Sequence, residues 1–346
     1  MSDIVLLSLG TTLGWRVSDS LFVDQLRRAG VSVEPVAVRI GASRRLRRAY
    51  PVTDLVEAAA ARRALGAALD RYSPRAVVIS TTTAAMLADT RGLPYAVRLD
   101  APARLNRPGR RNAGLHALER RALATARLVL PWSEAGRAAL PEGHAPAIVV
   151  PPPIERSGER PWRRDRLAVA YTPDVKAKGL DVVCGAWAAA DIPDARLEVF
   201  GVERAPALAH LRRSGVTLPA NVEFRGKTPP EQFRQALRRA RAYAGGARWE
   251  DFGQAPLEAL MDGALVATVP SGGPFEALAL ARELAPELVA DAVDAASLAT
   301  ALRAAFELPE QSVGAYRQRA AALLARFDPA AIERTVAAEV VPALLA

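Results

Sequence analysis

The sequence predicts an α/β protein built from two parallel-sheet domains in tandem, and three observations carry this. Short apolar runs alternate with amphipathic stretches along nearly the whole chain, the pattern of strand–helix–strand units whose strands lie in parallel. Three consecutive prolines at 151–153, followed by charged residues without periodicity, interrupt the pattern near the midpoint, as a linker does. The 346 residues suit two domains at roughly 100–200 residues each.

In the first half, apolar runs place strands at 4–9, 31–38, 76–79, 95–99, 128–130 and 147–150. Helical periodicity places helices at 18–29, 55–72, 84–90, 113–125 and 133–139, the last opening on Ser133 and acidic Glu134, a helix-start signal. Beyond the linker, 151–166, strands are expected at 167–171, 196–200, 222–225, 242–244, 265–268 and 288–289. Helices are expected at 179–189, 205–213, 230–240, 256–262, 273–281, 295–306 and 313–325. The domains are then 1–150 and 167–325, with 326–346 as a C-terminal helix expected to pack back on the first. Two open parallel sheets joined in this way leave an interdomain cleft, and ligands of such sheets bind beyond the carboxyl ends of the strands. The loops that follow strands are therefore where chemistry is sought.

Composition narrows the function classes. A single cysteine, Cys184, excludes an intrachain disulfide and a cysteine metal cluster, and its apolar setting reads as a small buried core residue. No stretch approaches the roughly 20 apolar residues of a membrane span, and the short apolar N-terminal run lacks the basic flank of a secretion signal, so a cytoplasmic protein is expected. The net charge of +9 is uneven: residues 1–150 hold 22 Arg, no Lys and 12 acidic residues, the remainder 24 basic and 25 acidic. Different partners for the two halves, or a plain preference for arginine, both account for that. Only three of the 46 basic residues are lysines, Lys176, Lys178 and Lys227. Where arginine is the default cation, a retained lysine suggests a need for a compact ammonium.

The richest segment is 248–276, RWEDFGQAPLEALMDGALVATVPSGGPFE, in which seven residues separate Glu250 from Glu258. Gly253 lets a backbone come close, and Pro256 suits the first turn of a helix. The N–H groups of Gly253, Gln254 and Ala255 would then project from a helix N-terminus, a setting for a diphosphate. Glu258 would accept hydrogen bonds from ribose hydroxyls, and Glu250 would face the same ligand from its sugar side. A capped surface turn with two acids is the plainer reading of the same residues.

This segment closely resembles the E-x7-E signature of retaining glycosyltransferases of family four, which have the GT-B fold of two Rossmann-like, doubly wound domains. KAKGLD at 176–181 looks like that family's donor loop, and VFG at 199–201 and VEFRGK at 222–227 look like the strand ends beside the nucleotide base. LPWSEAGRAAL followed by IVVPPPI looks like the end of its first domain. The resemblance covers about residues 130–280 and is weak over 1–127. It implies that Lys178 pairs with the donor diphosphate, as charge-assisted bonding favours. It further implies that Glu250 hydrogen-bonds the transferred sugar, that Glu258 holds the ribose, and that Gly201, Arg225, Phe252, Gly253, Gln254 and Ala255 line the donor. One departure stands out: relatives often carry an arginine about five residues before the lysine, where this chain has Pro173 and Asp174. Lys176 or an arginine from elsewhere would have to replace it.

Two further candidates lie in the first half. The turn Gly10, Thr11, Thr12, Leu13, Gly14 follows the first strand and would approach donor or acceptor, or else be only a tight turn. Asp100 follows the strand at 95–99 as a polar participant near the reacting carbon, or as a cap. The basic stretches 44–48 and 104–112 would dock an anionic acceptor or the inner face of an anionic membrane. Without interleaved aromatics they do not suit nucleic acid. The three histidines, His116, His144 and His210, read as surface residues. The sequence has no Asp-x-Asp, Walker loop, His-Glu-x-x-His or Gly-x-Ser-x-Gly, so no metal and no cofactor is expected. The expected activity is retaining, metal-independent transfer of a sugar from a nucleotide-diphosphate sugar to a glycan, lipid-linked or small-molecule acceptor. The alternatives are a GT-B phosphorylase or epimerase, or a silent nucleotide-sugar-binding subunit.

Overall fold

The computed structural model describes residues 2–40, 51–159 and 164–346; the basic stretch 44–48 lies outside them. Its contacts divide the chain into two compact units, Met1–Pro153 with Phe327–Ala346, and Ile154–Arg326.

The first unit holds five parallel strands, β1 (Ile4–Ser8), β2 (Val33–Ala37), β3 (Ala76–Ser80), β4 (Tyr95–Leu99) and β5 (Leu128–Pro131), in the order β2-β1-β3-β4-β5. β3 and β5 are buried along their whole length, as strands covered by helices on both faces must be. The second unit repeats the architecture with β6 (Asp165–Tyr171), β7 (Arg196–Phe200), β8 (Val222–Gly226), β9 (Ala240–Gly245) and β10 (Leu265–Thr268), ordered β10-β9-β6-β7-β8. In each sheet the winding reverses once, between β1 and β3 and between β6 and β9. At such a reversal the adjacent loops leave in opposite directions and open a crevice at the carboxyl edge.

Several expected elements move. The helix foreseen from residue 18 begins at Leu13, because the Thr12 hydroxyl accepts a hydrogen bond from the Trp15 N–H at 3.2 Å and caps it. The helix foreseen at 84–90 is the short Thr82–Ala85. The strand foreseen at 147–150 bonds alongside β5 but registers only as the bridge Val129–Ala147, since Pro146 and Pro151 have no N–H to extend a ladder. The strand at 288–289 is likewise one bridge, Thr268–Val289. The segment after the prolines is anchored rather than free. Ile154 is buried, and Ser157 bonds through its N–H and hydroxyl to buried Asp262 at 3.0 and 2.8 Å. The Arg164 guanidinium donates to the carbonyls of Leu237 and Ala240.

The C-terminal helical run, Pro329–Thr335, Val336–Val340 and Val341–Leu345, widens by one residue per turn in its middle section. Pro342 follows, lacking the N–H and crowding the carbonyl four residues earlier. Ile332, Val336, Val340 and Leu344 therefore recur every fourth residue on one buried face, packed in a common core with Ile4, Leu6, Val78 and Leu128. Burying each stabilises by about 1.5–3 kcal/mol, so the four together rival the about 5–15 kcal/mol of a typical domain. Deleting 329–346 is expected to leave the first unit unfolded while the second persists, read as selective loss of the first unit's peptides in limited proteolysis.

Candidate functional site

In the second unit, three loops meet at the carboxyl edge beside the winding reversal. The loop after β6, residues 172–179, is shaped by its own acid: Asp174 Oδ1 accepts from the N–H of Lys176 and Ala177 at 3.0 and 2.9 Å. The carboxylate that stands where relatives often have an arginine is thus spent on the turn. Gly179 has φ 61° at the start of the helix Leu180–Ala190, and a Cβ there would collide with the Gly246 carbonyl oxygen. The loop after β9 is joined to the first by Arg248 N–H to the Ala177 carbonyl at 2.9 Å. It is joined to the loop after β10 by Glu250 N–H to the Gly272 carbonyl at 3.0 Å and by the Ser271 hydroxyl to the Ala247 carbonyl at 2.6 Å.

This zipping brings Lys178 Nζ to 2.7 Å from Glu250 Oε2, 72 residues apart in sequence. The two side chains retain 28% and 12% of their exposure, so the pair is mostly withdrawn from water while one side stays reachable. Burial pushes the Glu250 carboxyl above its ordinary range, against the pull of Lys178. Gly253 then turns the chain at φ 82° and caps the helix Gln254–Met261; a Cβ on it would collide with the Phe275 ring. The first N–H groups of that helix have no intrahelical partner. Glu258, five residues in, accepts from Gln254 Nε2 at 3.1 Å and lies 3.9 Å from Arg234. Burial raises its carboxyl also, with Arg234 opposing.

Other expected donor residues sit as follows. Phe252 is 3% exposed, so its ring is core and only its backbone is available to a ligand. Gly201, φ 90°, follows β7 and packs against Pro173. Arg225, at the end of β8, pairs with Glu223 and approaches Glu198 to 3.9 Å, which commits its guanidinium to the sheet face. Lys176 offers its carbonyl to Arg248, whose guanidinium otherwise pairs with Asp181 at 2.6 Å. The histidines are half-buried rather than on the surface, and each is hydrogen-bonded.

The first unit carries its own cluster at the strand ends. Asp100 is half-buried, its Oδ2 accepting from Trp15 Nε1 at 3.1 Å and its Oδ1 from the Ala101 N–H at 2.7 Å. Gly10 has φ 54° and its carbonyl accepts from Arg16 at 2.9 Å; Thr11, Thr12 and Gly14 are exposed. Beneath them lies a group that sequence reasoning missed. Arg98, 1% exposed, pairs with Asp19 at 2.6 Å, donates to the Ser18 hydroxyl at 3.0 Å and lies over the Phe22 and Trp132 rings. Asp19 also accepts from the hydroxyls of Ser8 and Ser80. The available signal was an arginine inside the apolar run YAVRL, a charge that a buried strand carries only when paired. In the basic stretch 104–112, Arg107 pairs with fully buried Asp54 at 2.8 Å, while Arg104, Arg110 and Arg111 are exposed.

Among the described residues no group of three or more His, Cys, Asp or Glu is placed to hold a metal ion, and no helix is long and apolar enough to cross a membrane. The wall behind Glu258 depends on Arg234, which forks onto buried Asp262 at 2.7 and 3.0 Å. Arg234→Ala removes the cation paired with that buried carboxylate, leaving it the Ser157 hydrogen bonds, and is expected to cost about 3 kcal/mol, read as a lower urea midpoint at unchanged slope.

Residues 160–321 match the family described as Glycosyl transferases group 1. No curated protein gives a significant sequence match. Among solved structures, the chain is similar to sucrose-phosphate synthase from Thermosynechococcus elongatus, with TM-score 0.76, 17% identity and 99% of each chain covered. It is similar to HepE of Anabaena in complex with UDP and glucose, with TM-score 0.73, 15% identity, and 99% of this chain and 100% of that one covered. A UDP-forming α,α-trehalose-phosphate synthase from Burkholderia xenovorans in complex with glucose-6-phosphate gives TM-score 0.72, 11% identity, and 99% and 100% coverage. At such identities the likeness establishes the fold. The chain has the GT-B fold, and its residues 160–321 match the glycosyl transferases group 1 family.

Proposed function

We propose that the chain is a retaining, metal-independent glycosyltransferase that takes a nucleotide-diphosphate sugar in its second unit. The observation that carries this reading is the Lys178–Glu250 pair at the winding reversal, beside the glycine-turned N-terminus of the helix Gln254–Met261. An ammonium and a helix N-terminus suit a diphosphate, and two shielded carboxylates suit the hydroxyls at either end of it.

The reaction breaks the anomeric C–O bond, building negative charge on the diphosphate and positive charge on the sugar. Lys178 and the N–H groups of Gln254 and Ala255 stabilise the leaving group, and being fixed beforehand they need no reorganisation in the transition state. Glu250 accepts hydrogen bonds from the transferred sugar and Glu258 from the ribose. In the first unit, Asp100, held by Trp15, is the proposed polar participant, with the turn at 10–14 offered to the acceptor. Glycan, lipid-linked and small-molecule acceptors all fit this scheme, as does peripheral contact of the exposed arginines with an anionic membrane. Retention is proposed through same-face attack assisted by the departing phosphate. UDP-sugars are the first donors to test, because HepE is complexed with UDP and glucose and the synthase is described as UDP-forming.

The direct experiment is a thermal-shift screen of nucleotide-diphosphate sugars, followed by product analysis of the anomeric configuration. A ligand at 100 times its Kd should add about 2.7 kcal/mol; no stabilisation by any donor, or an inverted product, would sink the proposal. Lys178→Ala and Glu250→Ala are each expected to abolish transfer while the fold, read by circular dichroism, is retained.

The pH dependence follows from the raised carboxyls. Glu250 and Glu258 accept most strongly when ionised, and both ionise above the usual carboxylate pKa. Donor affinity is therefore full at neutral pH and is lost as pH falls through those raised values, earlier than exposed glutamates would dictate. Calorimetric titration across acid pH should show this limb, shallower in Glu250→Gln.

A further inference from the structure

We propose that the small cavity at the ends of β6 and β9 is a subsite for one hydroxyl of the donor sugar, and that Thr172 is the residue that reads it. This rests on the nucleotide-sugar reading above and adds to it a specificity-determining residue that none of the motifs contains.

Thr172 directly follows β6, its N–H bonded to the Phe200 carbonyl at 2.9 Å. The residue is 1% exposed, and its Oγ1 is buried without a hydrogen-bond partner among the described residues. Buried hydroxyls are normally bonded, because an orphaned one forfeits its bonds to water. Thr172 lines a cavity whose other walls include Tyr171, Lys178, Tyr243, Glu250 and Thr268. The space is about 10 Å³, roughly the room one water needs.

The wall chemistry selects the occupant. Lys178 only donates, ionised Glu250 only accepts, and Thr172 Oγ1 does both. A phosphate oxygen would accept from Lys178 and Thr172 but would confront the Glu250 carboxylate with a second negative charge. A hydroxyl donates to Glu250 and accepts from Thr172 or Lys178, so it suits all three of these groups. Its size matches the room of about 10 Å³ in the cavity. A hydrogen or fluorine at the same sugar position would leave Thr172 orphaned, and a bulkier group would not enter.

The test compares Thr172→Val, which keeps the shape and removes the hydroxyl, with Thr172→Ser, which keeps the hydroxyl. UDP-glucose, ADP-glucose and GDP-mannose, each beside its parent nucleoside diphosphate, are titrated calorimetrically against the full chain. For the nucleotide-sugar that wild type binds, Thr172→Val is expected to weaken affinity about tenfold, the value of one hydrogen bond. Its affinity for the parent diphosphate stays within about twofold and Thr172→Ser stays within about threefold of wild type for both ligands. The ligand-free Tm of Thr172→Val should equal or exceed that of wild type, because an orphaned hydroxyl is replaced by a methyl. A purely structural Thr172 would instead lower it. Unchanged sugar affinity, equal loss for sugar and diphosphate, or unfolding of Thr172→Val overturns the Thr172 assignment while wild-type binding keeps the donor reading intact. Failure of wild type to bind any of the three nucleotide-sugars overturns both.

Discussion

The second unit is organised around a place where two backbones touch. Gly179 and Gly246 approach so closely that neither tolerates a side chain: a Cβ on the first meets the Gly246 carbonyl, and one on the second comes within 2.9 Å of the Gly179 carbonyl oxygen. That approach locks the loop after β6 to the loop after β9. The winding reverses between these two strands, so no crossing helix fills the space above them. The lysine at the end of one loop and the glutamate in the other are delivered to the same point.

The charges show how the chain distinguishes structural from available ions. Asp262, Asp54, Asp19 and Arg98 are buried, and each is paired or hydrogen-bonded within its own unit. Stranding one partner of such a pair is costly, so these groups have no freedom to serve a ligand. Lys178 and Glu250 differ in degree: among the described residues the side chain of each is paired with the other alone, and both keep some exposure. A ligand that offers an anion to the ammonium and a hydroxyl to the carboxylate can replace that single bond with two. The pair is therefore held in place without being committed.

How far the sequence reaches is visible in particular residues. All ten strands sit within about two residues of where apolar runs place them, chiefly because a parallel strand buried on both faces reads as an uninterrupted hydrophobic stretch. The segments at 147–150 and 288–289 are apolar and partly buried, yet prolines or a tight turn limit each to one bridge. Apolar composition reports burial and does not report pairing. Glycine spacing and the two glutamates mark out the turn at 248–258, since Gly253 and Pro256 are local signals.

Sequence alone thus determined the α/β class, the break near the midpoint, and the identity of Lys178, Glu250 and Glu258 as residues of interest. All of these follow from local pattern or from residue types with few alternative uses. Tertiary structure decided the rest. It spent Asp174 on its own loop, buried the Phe252 ring, turned Arg225 to a sheet-face ion pair, hid the Arg98–Asp19 pair beneath Asp100, and left the Thr172 hydroxyl beside a cavity, without a partner among the described residues. The burial of Phe252, the Arg98–Asp19 pair and the setting of Thr172 depend on which distant groups stand opposite. Partners separated by 50 or more positions, as Arg98 and Asp19 are by 79, meet only when the sheet is assembled, so no local reading of the chain contains them.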